Sequence, residues 1–220
     1  VEFYMQPAVK KIADGCVTFE RKGKEQSVEA DKVLMAVGRK PNVDGLGLEY
    51  TSLVWSEKGI TVDDNMLTNV PGVYAIGDVN ARMMLAHAAT MQGLHVVNHI
   101  IGEQDDINLD VMPAAIFTNP EAACVGKTED QLKAEGVDIE VRKKNYRTNG
   151  RALAMAEAEG MIKLVADAGT GEILSCHAYG AHSADIVQEI SALMCKHTTL
   201  KQLHDMVHIH PTLNEMLQEI

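Results

Sequence analysis

Aromatic residues make up only 4% of this 220-residue sequence, one tryptophan among them, so it lacks the stacking platforms on which single-strand nucleic-acid binders depend. Cations are scarce as well. Twenty Lys and Arg face 31 Asp and Glu, a formal net charge of -11 whose long-range field repels nucleic acid and anionic lipid. No apolar run approaches the ~20 residues of a membrane helix, and Val1 to Lys10 has neither the basic start nor the apolar stretch of a signal peptide. A soluble chain is expected. The four cysteines, Cys16, Cys124, Cys176 and Cys195, lack C-x-x-C or zinc-finger spacing. They point to buried free thiols in a reducing compartment, the cytoplasm or, for a eukaryotic source, the mitochondrial matrix. What is plentiful is apolar residue, 46% against 23% charged, enough for one large domain or two modest ones.

Residues 8–39 alternate short β-prone runs with polar turns and predict a strand meander that ends in a buried strand at Val33–Val37, stopped by Pro41. Gly59–Val62 predicts a short strand, and Val73–Ile76 a fully apolar one running into Gly77-Asp78. From Met84 to Ile101 apolar residues recur at three or four, with Leu85, Ala88, Met91, Leu94, Val97 and Ile101 on the expected buried face and Gly102 as the stop. Asp105–Pro113, acidic and aperiodic, is the linker candidate. Beyond it, Thr128-x-x-Gln131 is a capping box for a helix over 129–135, and three antiparallel strands are expected at 139–146, 161–166 and 173–180. Ser183 and Thr198 are placed as caps of a long and a shorter helix, the first burying Ile186, Ile190, Leu193 and Met194.

Chemistry can be placed at three points. An Asp at the carboxyl end of an apolar strand, as Asp78 would be, sits where open α/β sheets collect ligands and can accept from sugar or polyol hydroxyls; Gly-Asp after a strand can equally be a capping turn. Met84, Leu85, Ala86 and His87 fall at the first turn of the next helix, whose free N–H groups and dipole favour an acceptor gaining negative charge, such as a reduced flavin. His87 can equally be a packed or surface histidine. Near the end, His210 precedes a proline that fixes its backbone, and Glu215 follows five residues on, so a turn could bring carboxylate onto imidazole and make a base tuned near neutral pH. Two alternatives stand beside that. Thr212-x-x-Glu215 is also a capping-box pattern, and His204, His208 and His210 are spaced as H-x-x-x-H-x-H ligands, though no cysteine or completing carboxylate stands in register.

Taken in order, Val37-Gly-Arg-Lys-Pro-Asn42, Tyr74-Ala-Ile-Gly-Asp-Val79, Met84-Leu-Ala-His87 and His208-Ile-His-Pro-Thr-Leu-Asn-Glu215 resemble the carboxyl-terminal half of the dihydrolipoamide dehydrogenases, within the pyridine nucleotide–disulfide oxidoreductases. Leu-Ala-His after Gly-Asp is similar to the lipoamide enzymes, where glutathione reductases usually carry Thr-Pro. The resemblance implies an α/β and α+β chain. Residues 1–40 would be closing strands of an NAD domain, 41–110 a returning part of a flavin domain, and 111–220 an interface domain with an antiparallel sheet. It further implies that Gly38 contacts NAD, that Asp78 and Met84 to His87 contact FAD, and that His210 is a base partnered by Glu215. A homodimer is implied in which this pair serves the other subunit's disulfide, with a lipoyl domain of a 2-oxo acid dehydrogenase complex as partner. No G-x-G-x-x-G follows a strand and no cysteines form a close pair, so a fragment, inactive alone, is expected. The rival expectation is a self-standing dimerisation or binding module that catalyses nothing.

Overall fold

Two left-handed dipeptides, Asp14-Gly15 (φ 55° and 72°) and Lys22-Gly23 (φ 52° and 73°), set the geometry of the first unit in the computed structural model, which describes residues 1–220. Positive φ at both central residues is what a two-residue hairpin turn matched to strand twist requires. Strands β1 (Ala8–Ala13), β2 (Cys16–Arg21) and β3 (Lys24–Glu29) therefore form an antiparallel meander, with Val17 opposite both Ile12 and Val28. Phe19 is buried in it, edge-on to Tyr4 at 5.0 Å between ring centroids. The expected strand Val33–Val37 does not form. Those residues pair with nothing, and Leu34 and Val37 are 89% and 85% exposed, because an apolar run becomes a strand only where a neighbour takes up its N–H and C=O groups.

Residues Lys40–Ile220 form the second compact unit, so the expected flavin-type and interface segments lie together in it. At its start, Val43, Leu48, Ile60 and Ala75 make a small core beside the two-residue pair β4 (Trp55–Ser56) and β5 (Gly59–Ile60). Val73–Ile76 is not a strand either. Its pairing stops at a single bridge, Tyr74 to Leu67, flanked by Thr68 N–H on the Val73 carbonyl and Ala75 N–H on the Met66 carbonyl. Helix α1 (Ala86–Ile101) ends on Gly102, whose left-handed φ of 76° lets its N–H reach back to His99 and Asn98 carbonyls. Its buried residues are Ala88, Gln92 and Val96; of the expected apolar face Ala88 is buried and Leu85 and Met91 are half-buried, whereas Leu94, Val97 and Ile101 are exposed. A buried polar network draws Gln92 inward: Gln92 Oε1 accepts from Gly77 N (2.8 Å) and from Asn80 Nδ2 (2.9 Å), and Asn80 also donates to the Ala75 carbonyl. Satisfying those groups outweighs covering three aliphatic side chains that water tolerates.

Asp105–Pro113 contains no helix or strand, yet Asp105 ties it to α1 through His95 Nδ1 (3.1 Å) and Asn98 Nδ2 (3.0 Å). Beyond it, β6 (Ala114–Ile116) and β7 (Glu121–Gly126), unforeseen in the sequence, join β8 (Ile139–Asn145), β9 (Gly160–Asp167) and β10 (Ile173–Gly180) in an antiparallel sheet of order β6-β7-β10-β9-β8. Helix α2 (Glu129–Ala134) carries the expected capping box. The alternation of Ile162 with Leu164 and of Cys176 with Ala178 turns one face toward α4 (Ser183–Met194), where Ile186, Val187, Ile190 and Met194 meet it. Leu193 is only half-buried there. Two caps sit differently from expectation. Ser183 lies inside α4 with its hydroxyl on the Gly180 carbonyl, while Glu121 takes the Ala184 N–H; Thr199, not Thr198, caps α5 (Leu200–His204).

Close approach at Gly180 supplies a stability test. Its φ is 143°, and a β-carbon there would meet Cζ of the fully buried Tyr146 at 2.6 Å, while the Tyr146 hydroxyl donates to the Ala181 carbonyl. Gly180→Ala is expected to cost about 2–4 kcal/mol, from an unfavourable φ plus overpacking. Urea denaturation checks this, and an unchanged midpoint contradicts the packing described.

Candidate functional site

The last fourteen residues are held by apolar anchors and by the carboxylates of Glu189 and Glu215. Leu213, Met216 and Leu217 plug into the core and fix the 3-10 turn Asn214–Leu217. Glu189 on α4 holds both ends of the preceding loop, Oε1 on His208 Nε2 (2.9 Å) and Oε2 accepting from Asn214 Nδ2 (2.6 Å). With His208 drawn inward, the loop turns His210 outward; its side chain is 81% exposed, against 15% for Glu215.

His210 Nδ1 and Glu215 Oε2 are 2.7 Å apart. A carboxylate only accepts, so Nδ1 carries a hydrogen; in the neutral ring this is the tautomer that leaves the lone pair on Nε2. The second carboxylate oxygen is also engaged, by Asn149 Nδ2 at 3.3 Å. Only half of the alternative capping box forms. The Glu215 N–H reaches the Thr212 hydroxyl (3.3 Å), but the carboxylate has turned to His210 and Asn149. The three histidines of the metal-ligand alternative face three separate acceptors: His204 the Gln218 carbonyl, His208 Glu189 and His210 Glu215.

The other sequence-predicted residues gather at the start of α1. Leu85 caps it without a side-chain hydrogen bond, which leaves first-turn N–H groups open beside the exposed Ala86 and His87. Asp78, in the 3-10 turn Gly77–Asn80, is exposed. Met84 is half-buried, and His87 Nε2 is 2.8 Å from the Pro113 carbonyl. Leu85 and His87 border a groove of about 800 Å³ that runs past Met91, Pro113, Val187 and Ser191; His210 and Glu215 are not among its lining residues. Gly38 has a left-handed φ of 105°, and a β-carbon there would meet nothing.

The thiols are less uniformly buried than expected: Cys176 is buried, Cys16 and Cys124 are half-buried and Cys195 is exposed. Burial, with Cys124 nearby, pushes Cys176 up to about 12, which makes it an inert core residue. Burial also holds His177 below the usual imidazole range, helped by Lys163. Asn149, Glu189 and Asn214 were not foreseen. An asparagine ahead of a helix start is a local signal for the first alone.

Two models of one family match the chain in succession, Pyridine nucleotide-disulphide oxidoreductase over residues 1–93 and its dimerisation domain over 112–220. The chain belongs to the pyridine nucleotide-disulphide oxidoreductases. Among curated relatives, the dihydrolipoyl dehydrogenase of Cupriavidus necator is 41% identical over 201 residues, 91% of this chain and 42% of the relative. That of Bacillus subtilis is 40% identical over 217 residues, 98% of this chain and 46% of the relative. The crystal structure of LpdA from Mycobacterium tuberculosis superposes with a TM-score of 0.84 at 27% identity, covering 98% of this chain and 46% of that one. The chain thus spans less than half the length of each. The mixed α/β build with antiparallel sheets is that of the family, and a dimerisation domain is part of it. No helix is long and apolar enough to cross a membrane.

Proposed function

We propose that this chain is the carboxyl-terminal part of a flavin disulfide oxidoreductase that oxidises protein-bound dihydrolipoyl groups with NAD⁺, and that His210 is its base. The observation that carries this is the 2.7 Å contact between His210 Nδ1 and Glu215 Oε2, which leaves Nε2 open to solvent. Nε2 removes the proton of a dihydrolipoyl thiol, because the thiolate is the species that attacks a disulfide. Glu215 holds the ring and stabilises the imidazolium that results. The accompanying curated relatives, named dihydrolipoyl dehydrogenases, support the choice of substrate.

In this reading residues 1–40 close an NAD domain, 41–110 return to a FAD domain and 111–220 are the interface domain. FAD, when bound, supplies two-electron acceptance between dithiol and nicotinamide. The residues suit it: the uncapped N–H groups at Ala86 and His87, with Met84 and Leu85 beside them, would favour a ring that gains negative charge, and exposed Asp78 would accept from hydroxyls. Gly38, with no side chain and open space around it, would let NAD approach the backbone. Separation of His210 from the groove at Leu85 and His87 agrees with a base that serves the partner of a homodimer. The lipoyl domain of a 2-oxo acid dehydrogenase complex is the protein substrate, and the cytoplasm or mitochondrial matrix the location.

The test is to join the chain to the amino-terminal portion of the Bacillus subtilis relative and assay lipoamide-linked NAD⁺ reduction. Turnover supports the reading; a folded, flavin-loaded chimera without turnover overturns it. A dimer is also expected of the 220 residues at tens of micromolar, on the order of assay concentrations, and sedimentation as monomer alone contradicts it.

A further inference from the structure

We infer that Asn149 is a positioning residue for the His210–Glu215 pair, an inference that rests on the reading of His210 as the base. Asn149 is 3% exposed and ends the loop before α3 (Gly150–Ala154). Its Oδ1 accepts the Ala152 N–H at 2.9 Å, which fixes the amide orientation, since a backbone N–H needs an acceptor. Nδ2 is thereby aimed at the Thr212 carbonyl (3.0 Å) and at Glu215 Oε1 (3.3 Å), residues 63 and 66 positions away. One amide thus joins the capped start of α3 to the backbone of the histidine loop and to the carboxylate itself.

The consequence lies in the geometry of Glu215. Its Oε2 orients His210, while Oε1 is partly buried and draws its side-chain donor from Asn149. Remove that donor and Oε1 must find water, which requires the carboxylate to rotate away from Nδ1. A released imidazole favours the Nε2–H tautomer, the form whose outward nitrogen cannot accept a proton. Asn149 therefore keeps the lone pair on Nε2 by acting through Glu215.

The experiment uses the 220-residue chain with ¹⁵N-labelled histidine, long-range ¹H–¹⁵N spectra at alkaline pH, and His210→Gln to assign the signal among nine histidines. The unmodified chain is expected to show His210 mainly as Nδ1–H. Asn149→Ser keeps an oxygen to cap α3 but removes the Nδ2 amide group that reaches Thr212 and Glu215, and is expected to turn the majority to Nε2–H without moving the His208 signals. Asn149→Asp keeps shape and cap and sets a carboxylate against Glu215, so the same change is expected; it decides the matter if the serine variant does not fold. A majority of Nδ1–H in either folded variant overturns the inference, as does unfolding of both. The readout needs no turnover, so a His210→Gln chimera with full activity would sink the base reading while leaving the positioning result to stand by itself.

Discussion

Purified alone, the 220-residue chain is expected to show no turnover of dihydrolipoamide with NAD⁺ and no flavin absorbance. Passing two electrons from a dithiol through a protein disulfide requires two cysteines with Cα atoms ~4.4–6.8 Å apart and side chains turned toward each other. Cys124 and Cys176 are on adjacent strands, yet Cys176 is in register with Val125 and His177 with Cys124, so the two thiols point to opposite faces. Cys16 belongs to the hairpin unit, and Cys195 is exposed at the end of α4. The phosphates of both dinucleotides would also lack a glycine fingerprint, since the sequence contains no G-x-G-x-x-G after a strand. Turnover by this chain alone, or stoichiometric flavin in the purified protein, contradicts the proposal that it is part of a longer enzyme.

The second large effect concerns His210 in the chimera. Thiol oxidation needs a base, whereas hydride passage between nicotinamide and flavin needs only two rings held together. His210→Gln keeps a polar side chain of similar reach but cannot take up the proton, so lipoamide-linked turnover is expected to fall ~10²–10⁴-fold. NADH oxidation by an acceptor that draws directly on flavin is expected to change far less. Glu215→Gln is expected to cost less than the histidine change, because it weakens orientation and charge stabilisation without removing the base. Equal loss of both activities in His210→Gln would mark His210 as structural, and loss of neither would remove it from the mechanism.

What was legible in the sequence is what local chemistry decides. Thr128 and Gln131 cap each other within one turn, Gly102 stops α1 because its φ is left-handed, and the alternation in β8, β9 and β10 shows itself within each strand. His210 and Glu215 were legible for the same reason, being five residues apart across a tight turn. The failures depend on distant partners. Val33–Val37 and Val73–Ile76 have strand composition, but the first pairs with nothing and the second makes a single bridge, Tyr74 to Leu67, too short for a ladder. The burial of Gln92 in α1, in place of Leu94, Val97 and Ile101, follows from its answering Gly77 and Asn80, polar groups that apolar periodicity ignores. Ser183 lost its capping role to Glu121, 63 positions from the N–H it accepts. Asn149 was invisible as a site residue because its link to Glu215 spans 66 positions.

Mixed dimers of the chimera test the central claim most directly. One parent carries His210→Gln, and the other lacks the cysteine pair supplied by the joined amino-terminal portion; each is inactive alone in the lipoamide assay. If His210 of one subunit is the base for the other subunit's disulfide, a dissociated and reassociated equal mixture contains hybrid dimers with one intact site, and about a quarter of the unmodified activity returns. If hybrid dimers form and no activity returns, His210 does not serve across the interface, and the proposed role of this half of the enzyme is wrong.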